Sequence, residues 1–596
     1  MQPTPNSHES GLSNNPLPTL VPNSSALPAV SLTLIFVSTF VPVSMILTNL
    51  PPELQSKICS YLVKSIGPSS IHALLRTCKQ LYDVALPFSV QIFRNTAPIH
   101  IGRGPCSETR NVQFLRYILI SKPELASRVD TIILGGFTTT RERVKTPTAV
   151  TSTEEEPAIY QEFIINALGP QLSEADLTRR DSWIAHLKEG FTDAQISLIL
   201  LVCSGVRRLY FEDYQEGMSQ NQLFKKPDCF IFLLEMAKTL STSNTSGFNA
   251  PLRNLRHVQS QSHEDNDCGW EQAFRLMALP QLKSYESLDT TRRGNFAGES
   301  TILPLITTPR SSSVRSISLH QSLAPAAEVQ ALLRVCKHLE KFEYISPTFE
   351  PISGIFARDI MEAVLPHART LHHLHINFSD ECKKIGWEDD PQRLYLGTEL
   401  AQMTALRHLS IGMQSLTGKF DQAPTDEQDT PSQIEGAPQL IECLPESLVE
   451  LFIRDCGKGI LDQAKELMAT IEKGERFNNL TRIVLVFKAE IVNLRDIRQA
   501  IPERTKKGSR CDLWVAFQHR EARWVSSGRG HTFEGIRAIP SLCSRIFADD
   551  LRNDWMNFRG GLAHKLHPKA FGPCSLARGV DERMIRLLLL KPPHEN

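Results

Sequence analysis

One short template recurs through the chain and limits what it can fold into. It is an apolar residue, two variable residues, an apolar residue, one variable residue and a third apolar residue. Copies are Val206-Arg-Arg-Leu209-Tyr-Phe211, Val314-Arg-Ser-Ile317-Ser-Leu319, Leu339-Glu-Lys-Phe342-Glu-Tyr344, Leu371-His-His-Leu374-His-Ile376, Leu406-Arg-His-Leu409-Ser-Ile411, Leu448-Val-Glu-Leu451-Phe-Ile453 and Leu480-Thr-Arg-Ile483-Val-Leu485. Shorter copies start at Leu255 and Leu282, and an earlier one runs Val129-Asp-Thr-Ile132-Ile-Leu134. In a strand, alternate side chains point to opposite faces, so the apolar ends of each copy face inward and the variable residues face out. Helix candidates lie between the copies. Ala326–His338 places Val329, Leu332, Leu333 and Cys336 on one face, and Phe230–Leu240, Phe356–Leu365 and Ala464–Ile471 are similar. Strand then helix, repeated, predicts an α/β protein with a parallel sheet.

The template is the strand pattern of leucine-rich repeats, and the chain resembles the irregular repeat solenoids of that family over residues 129–490. From Val206 on, successive starts lie 25 to 49 residues apart, as from Val314 to Leu339 and from Val206 to Leu255. That is longer and less regular than the standard period of about 20–29. The asparagine that usually follows the strand is also missing. The resemblance implies a curved solenoid with its parallel sheet on the concave side. Cys511-Asp-Leu-Trp-Val-Ala-Phe517 reads as a final strand, and residues 520–596 carry no repeat and no assigned role.

A different unit precedes the repeats. Pro51 and Pro52 fit the first turn of a helix, where a missing N–H costs nothing. Leu54, Ile58 and Leu62 recur every fourth residue as one apolar stripe. Gly67-Pro68 stops that helix, and Ser69 or Ser70 is placed to cap the next. Ile71, Leu74, Leu75 and Cys78 form a second stripe, in which Cys78 reads as a core thiol. Leu81, Val84, Ala85 and Phe88 form a third. The pattern Leu50-Pro51-x-Glu53-Leu54…Ile58…Leu62…Leu74…Cys78…Leu81 resembles the F-box, the adaptor-binding module of SCF-type cullin–RING ubiquitin ligases. The usual tryptophan after the last stripe is absent, and Phe88 or Phe93 stands in its place. The F-box-like domain is assigned to residues 45–95, with a connecting helical segment at 96–128.

Composition bounds the rest. A chain of 596 residues is too long for one ordinary core. Lys plus Arg and Asp plus Glu each number 65, so no bulk charge points to nucleic acid or an anionic membrane. The thirteen cysteines are odd in number and form no Cys-x-x-Cys. They read as reduced thiols of a cytoplasmic or nuclear protein. Residues 1–28 are rich in Pro, Ser and Asn, and residues 29–47 are apolar and uncharged. Length alone would let that segment touch a membrane span. It lacks a basic n-region and carries Ser, Thr and Pro, so residues 1–44 read as a disordered or spurious leader, with Met45 a plausible start and no membrane anchor.

No nucleophile, phosphate-loop or metalloprotease motif occurs, so no catalytic residue, metal or cofactor is assigned. His373 and His375 share a strand face and His408 follows in the next repeat, yet the variable positions of such strands are polar in any case. They read as a solvated recognition face. Glu154–Glu156 and Asp389-Asp390 read as solvated polar runs. The expected function rests on the resemblance. Leu50, Pro51, Glu53, Leu54, Ile58, Leu62, Ile71, Leu74, Leu75, Cys78 and Leu81 would dock on a Skp-family adaptor and, through it, a cullin. Arg207, Arg208, Arg256, Arg315, His373, His375 and Arg407 would bind a protein substrate. The alternatives are a repeat scaffold outside any ligase, its N-terminal helices only a cap, and an α/β enzyme without a recognisable motif.

Overall fold

The computed structural model describes residues 47–95, 108–134, 155–168, 172–213, 228–242, 250–262, 270–288, 309–322, 325–346, 355–378, 391–418, 434, 436–488 and 511–518. The apolar segment at 29–47, but for Leu47, and residues 520–596 lie outside these. Among the described residues, no helix is long and apolar enough to cross a membrane.

The N-terminal unit has three helices: α1 (Pro52–Ser65), α2 (Pro68–Leu74) and α3 (Lys79–Ser89). Gly67 joins the first two with φ +103°, a backbone region that side-chain-bearing residues rarely enter. The second helix starts at Pro68 with Gly67 ahead of it, so Ser69 and Ser70 lie inside it rather than capping it. It ends at Leu74. Cys78 stands just ahead of α3 and is exposed, so it is not the core thiol its spacing suggested. The unit has its own core of Cys59, Val63, Ile71, Leu74, Leu81 and Ala85.

The repeat copies build one sheet. Among the described residues, twelve strands lie in chain order and every neighbouring pair is parallel. They are β1 (Ile92–Arg94), β2 (Thr131–Leu134), β3 (Arg208–Asp213), β4 (His257–Ser262), β5 (Ser284–Leu288), β6 (Ser316–His320), β7 (Lys341–Ile345), β8 (His373–Asn377), β9 (His408–Gly412), β10 (Glu450–Cys456), β11 (Arg482–Lys488) and β12 (Asp512–Gln518). Helices alternate with the strands, as a parallel sheet requires. The sheet begins at Ile92, directly after α3, so the three-helix unit runs into it without a linker.

The inward residues of the template align in rows. Leu209, Val258, Tyr285, Ile317, Phe342, Leu374, Leu409, Leu451 and Ile483 are register partners on successive strands, and all are buried. They join the helices in one continuous core from Val90 to Cys511. Full burial of each such side chain stabilises the fold by about 1.5–3 kcal/mol.

The connection from β2 to β3 is the thickest. It holds helices at Glu156–Leu168, Glu174–Lys188 and Thr192–Val202. Every residue of the last is buried. Trp183 Nε1–H donates to Ala194 O at 2.9 Å, and Asp193 accepts from the backbone N–H groups of Cys229 and Phe230 at 3.0 and 3.2 Å. The carboxylate thereby satisfies the start of the helix Asp228–Thr242. Glu156, read as part of a solvated run, is buried and pairs with Arg116 at 2.5 Å. A strand-by-strand reading treats it as loop because the Arg partner lies forty positions away.

Candidate functional site

Two surfaces carry the residues singled out by the sequence. The first is α1. Its inner face is Gln55, Cys59 and Val63, not the apolar stripe. Gln55 Nε2 donates to Leu50 O at 2.8 Å and Leu47 O at 3.0 Å, which fixes the lead-in and lets a polar residue point inward. Leu54 is therefore turned out and is 44% exposed, and Tyr61, seven residues on, is 57% exposed. Ile58 is half-buried between them. Leu54, Ile58 and Tyr61 fall at i, i+4 and i+7, one outer face of the helix.

The eleven residues assigned to adaptor binding thus separate into two groups. Ile71, Leu74 and Leu81 are buried inside the unit and hold it together. Leu62 and Leu75 are half-buried against that core. Pro51, Glu53, Leu54 and Cys78 are exposed, and Leu50 and Ile58 are half-buried. The buried Ile71, Leu74 and Leu81 cannot touch a partner while the unit stays folded, and the exposed Pro51, Glu53, Leu54 and Cys78 are the most open to one. Tyr61 was missed. Its position one turn after Ile58 was the available signal.

The second surface is the sheet face opposite the inward rows. The register sorts the seven assigned residues into three rows. Arg207, Arg256, Arg315 and Arg407 stand just ahead of their strands and are exposed. Arg208 and His373 lie in the next row, half-buried, with His257, Lys341, His408, Glu450 and Arg482. His375 lies two residues deeper along its strand and is buried. The sequence grouped all seven on one face, and in the structure they range from the exposed arginines to the buried His375.

Behind the exposed row is a polar network that takes in His373 and His375. Glu343 on β7 is its hub. Ser318 Oγ–H donates to it at 2.7 Å, Lys341 Nζ lies 3.0 Å away, and the rings of His320 and His373 lie at 3.5 and 3.7 Å. Burial opposes the charge on Glu343, but the neighbouring His320, the Lys341 ammonium and the Ser318 hydroxyl outweigh it. Together they hold the carboxyl well below the usual carboxylate range. Burial, then the Lys341 charge, pushes His373 down to about 4. Burial and the Arg454 guanidinium push His375 down to about 3. Both rings are neutral at pH 7, and Arg454 Nη2 donates to His375 Nε2 at 2.5 Å and to Ser410 Oγ at 3.2 Å. Arg454 sits one residue beyond the template, which is why the repeat pattern passed over it.

A depression of about 140 Å³ opens at the end of this network. His408, Glu450, Arg482, Phe452 and Val484 are among the residues that line it. Glu450 links the other two, 3.2 Å from His408 Nδ1 and 3.1 Å from Arg482 Nη1. The rings of His373 and His408 lie 5.8 Å apart, centroid to centroid. With His375 taken by Arg454, the His cluster does not converge, and among the described residues no group of three His, Cys, Asp or Glu is placed to hold a metal. Burial pushes the thiols of Cys336 and Cys443 up to about 12, so both stay protonated. No family model matches the chain, and no curated protein matches it.

Proposed function

We propose that the chain is the target-recognition subunit of an SCF-type ubiquitin ligase, in which it does no chemistry of its own. The helices α1–α3 dock on a Skp-family adaptor and through it on a cullin. The repeat region forms a curved solenoid that holds a target protein on its concave sheet face. Rate enhancement comes from bringing the target near a recruited ubiquitin-conjugating enzyme. The observation that carries the reading is the outward face of α1. Leu54, Ile58 and Tyr61 stay clear of the unit's own core, and an apolar face left to solvent on a small unit marks a contact site. The Leu-Pro-x-Glu opening supplies the identity of the partner.

One observation favours a second reading, a repeat scaffold capped by these helices. β1 follows α3 directly and pairs with β2, so the unit also closes the sheet's first edge. One experiment separates the two. The full chain and its Leu54→Asp/Tyr61→Ser variant are used to capture a purified Skp-family adaptor. Both positions are exposed, so the variant keeps its melting temperature. Loss of two apolar anchors weakens capture by about 2 kcal/mol or more, roughly thirtyfold. Equal capture by parent and variant, or none by either, leaves the cap reading.

A further inference from the structure

Four cations occupy one register position on successive repeats. The residue just ahead of each strand donates its backbone N–H to the matching carbonyl of the repeat before. Arg256 donates to Arg207 O at 2.9 Å, Lys283 to Arg256 O at 2.8 Å and Arg315 to Lys283 O at 2.8 Å. This ladder sets Arg207, Arg256, Lys283 and Arg315 in single file along the rim of the sheet. Neighbouring strands are about 4.8 Å apart, so the file is roughly 14 Å long. Arg207, Arg256 and Arg315 are exposed and Lys283 is half-exposed.

The two ends of the file lean on acids. Arg207 Nε is 3.8 Å from Asp130 Oδ1, and Arg315 Nη1 is 2.8 Å from Glu340 Oε1. Among the described residues, Arg256 and Lys283 form no ion pair. A neutral chain thus keeps like charges side by side, where they repel one another until an anion arrives. The file is also narrow. Glu340 ends it, and the carboxylates of Glu286 and Glu343 lie on the same face, deeper along β5 and β7.

We propose that this file binds a run of aspartates or glutamates in an extended peptide of the target. The even spacing decides the ligand. A single phosphate would need cations converging on one point, whereas these stand in a line and suit charges spread along a chain. An extended peptide advances about 3.4 Å per residue, so roughly five residues cover the file. A nucleic acid is wider and would bring its phosphates against the flanking glutamates. The assignment rests on the repeat region being the target-binding part, and it says which chemistry that part selects.

The test is fluorescence anisotropy with the full chain and a labelled octaglutamate peptide. Binding is expected and should weaken steeply as salt rises, because the screening length falls from about 10 Å at 0.1 M to about 3 Å at 1 M. The Arg256→Glu/Lys283→Glu variant should bind about tenfold or more weakly, since two attractions become repulsions. Arg334→Glu, on the helix Ala326–Val335, should bind like the parent. No binding of octaglutamate, or unchanged binding by the double variant, overturns the proposal. So does tighter binding of a singly phosphorylated octaglutamine peptide or of a twelve-residue oligothymidylate. Adaptor capture is measured on the same samples. A chain that binds octaglutamate but captures no adaptor refutes the ligase reading and leaves the file assigned.

Discussion

Mild acid should destabilise this protein, and the buried histidines set the size of the effect. His373 and His375 have an ordinary value of 6.5 in the unfolded chain and are lowered to about 4 and about 3 when folded. A lowered value means that the unfolded state binds the proton first as pH falls. Their contribution to stability is therefore complete above pH 6.5 and is lost as pH drops toward the folded values. At pH 5.5 the unfolded rings are largely protonated and the folded ones are not, which costs about 1.4 kcal/mol for each ring. The pair accounts for about 3 kcal/mol between pH 7.5 and 5.5. His367, also lowered by burial, adds in the same direction. The charged neighbours reinforce the sign, because Lys341 and Arg454 resist a further positive charge more than Glu343 invites it. Glu343 adds its own loss only below the usual carboxylate range. Urea unfolding followed by circular dichroism at the two pH values measures this. The His373→Asn/His375→Asn variant should lose about 3 kcal/mol less than the parent over the interval. Equal losses in both, or a parent whose stability is flat or rises on acidification, refute the reasoning.

Three substitutions probe the fold itself. Gly205→Ala would place a methyl group 2.1 Å from Ser127 O, a backbone atom that cannot swing aside, so the melting temperature should fall by the equivalent of about 1–3 kcal/mol. Leu374→Ala empties the buried row between Phe342 and Leu409 and should cost about 2–5 kcal/mol in chemical unfolding. Trp183→Phe loses the bond to Ala194 O and leaves part of the fully buried indole volume empty, and should cost about 2–4 kcal/mol by the same assay.

The parallel sheet was legible because Leu374 and Ile376, or Leu409 and Ile411, alternate with polar residues over a full strand. β1 was not, since three residues offer only Phe93 as an inward position. The helix Thr192–Val202 left no apolar stripe to detect because all of its faces are buried, Asp193 and Gln195 included. On α1 the spacing of Leu54, Ile58 and Leu62 was correct but says nothing about direction. Gln55 turns the helix, by bonding carbonyls that precede it, and a polar residue on the inner face defeats a reading based on hydropathy. The open face shows the same limit. The exposed arginines were readable as a set, while the Glu343 network depends on register between strands some thirty residues apart.

Hydroxyl-radical footprinting of the full chain, alone and with a purified Skp-family adaptor, tests the central claim most directly. The account predicts a one-to-one complex in which Leu54, Ile58 and Tyr61 become protected while Arg256 and its neighbours along the sheet rim stay as reactive as before. A mixture that forms no complex, or a complex that protects the sheet and leaves α1 reactive, would contradict it.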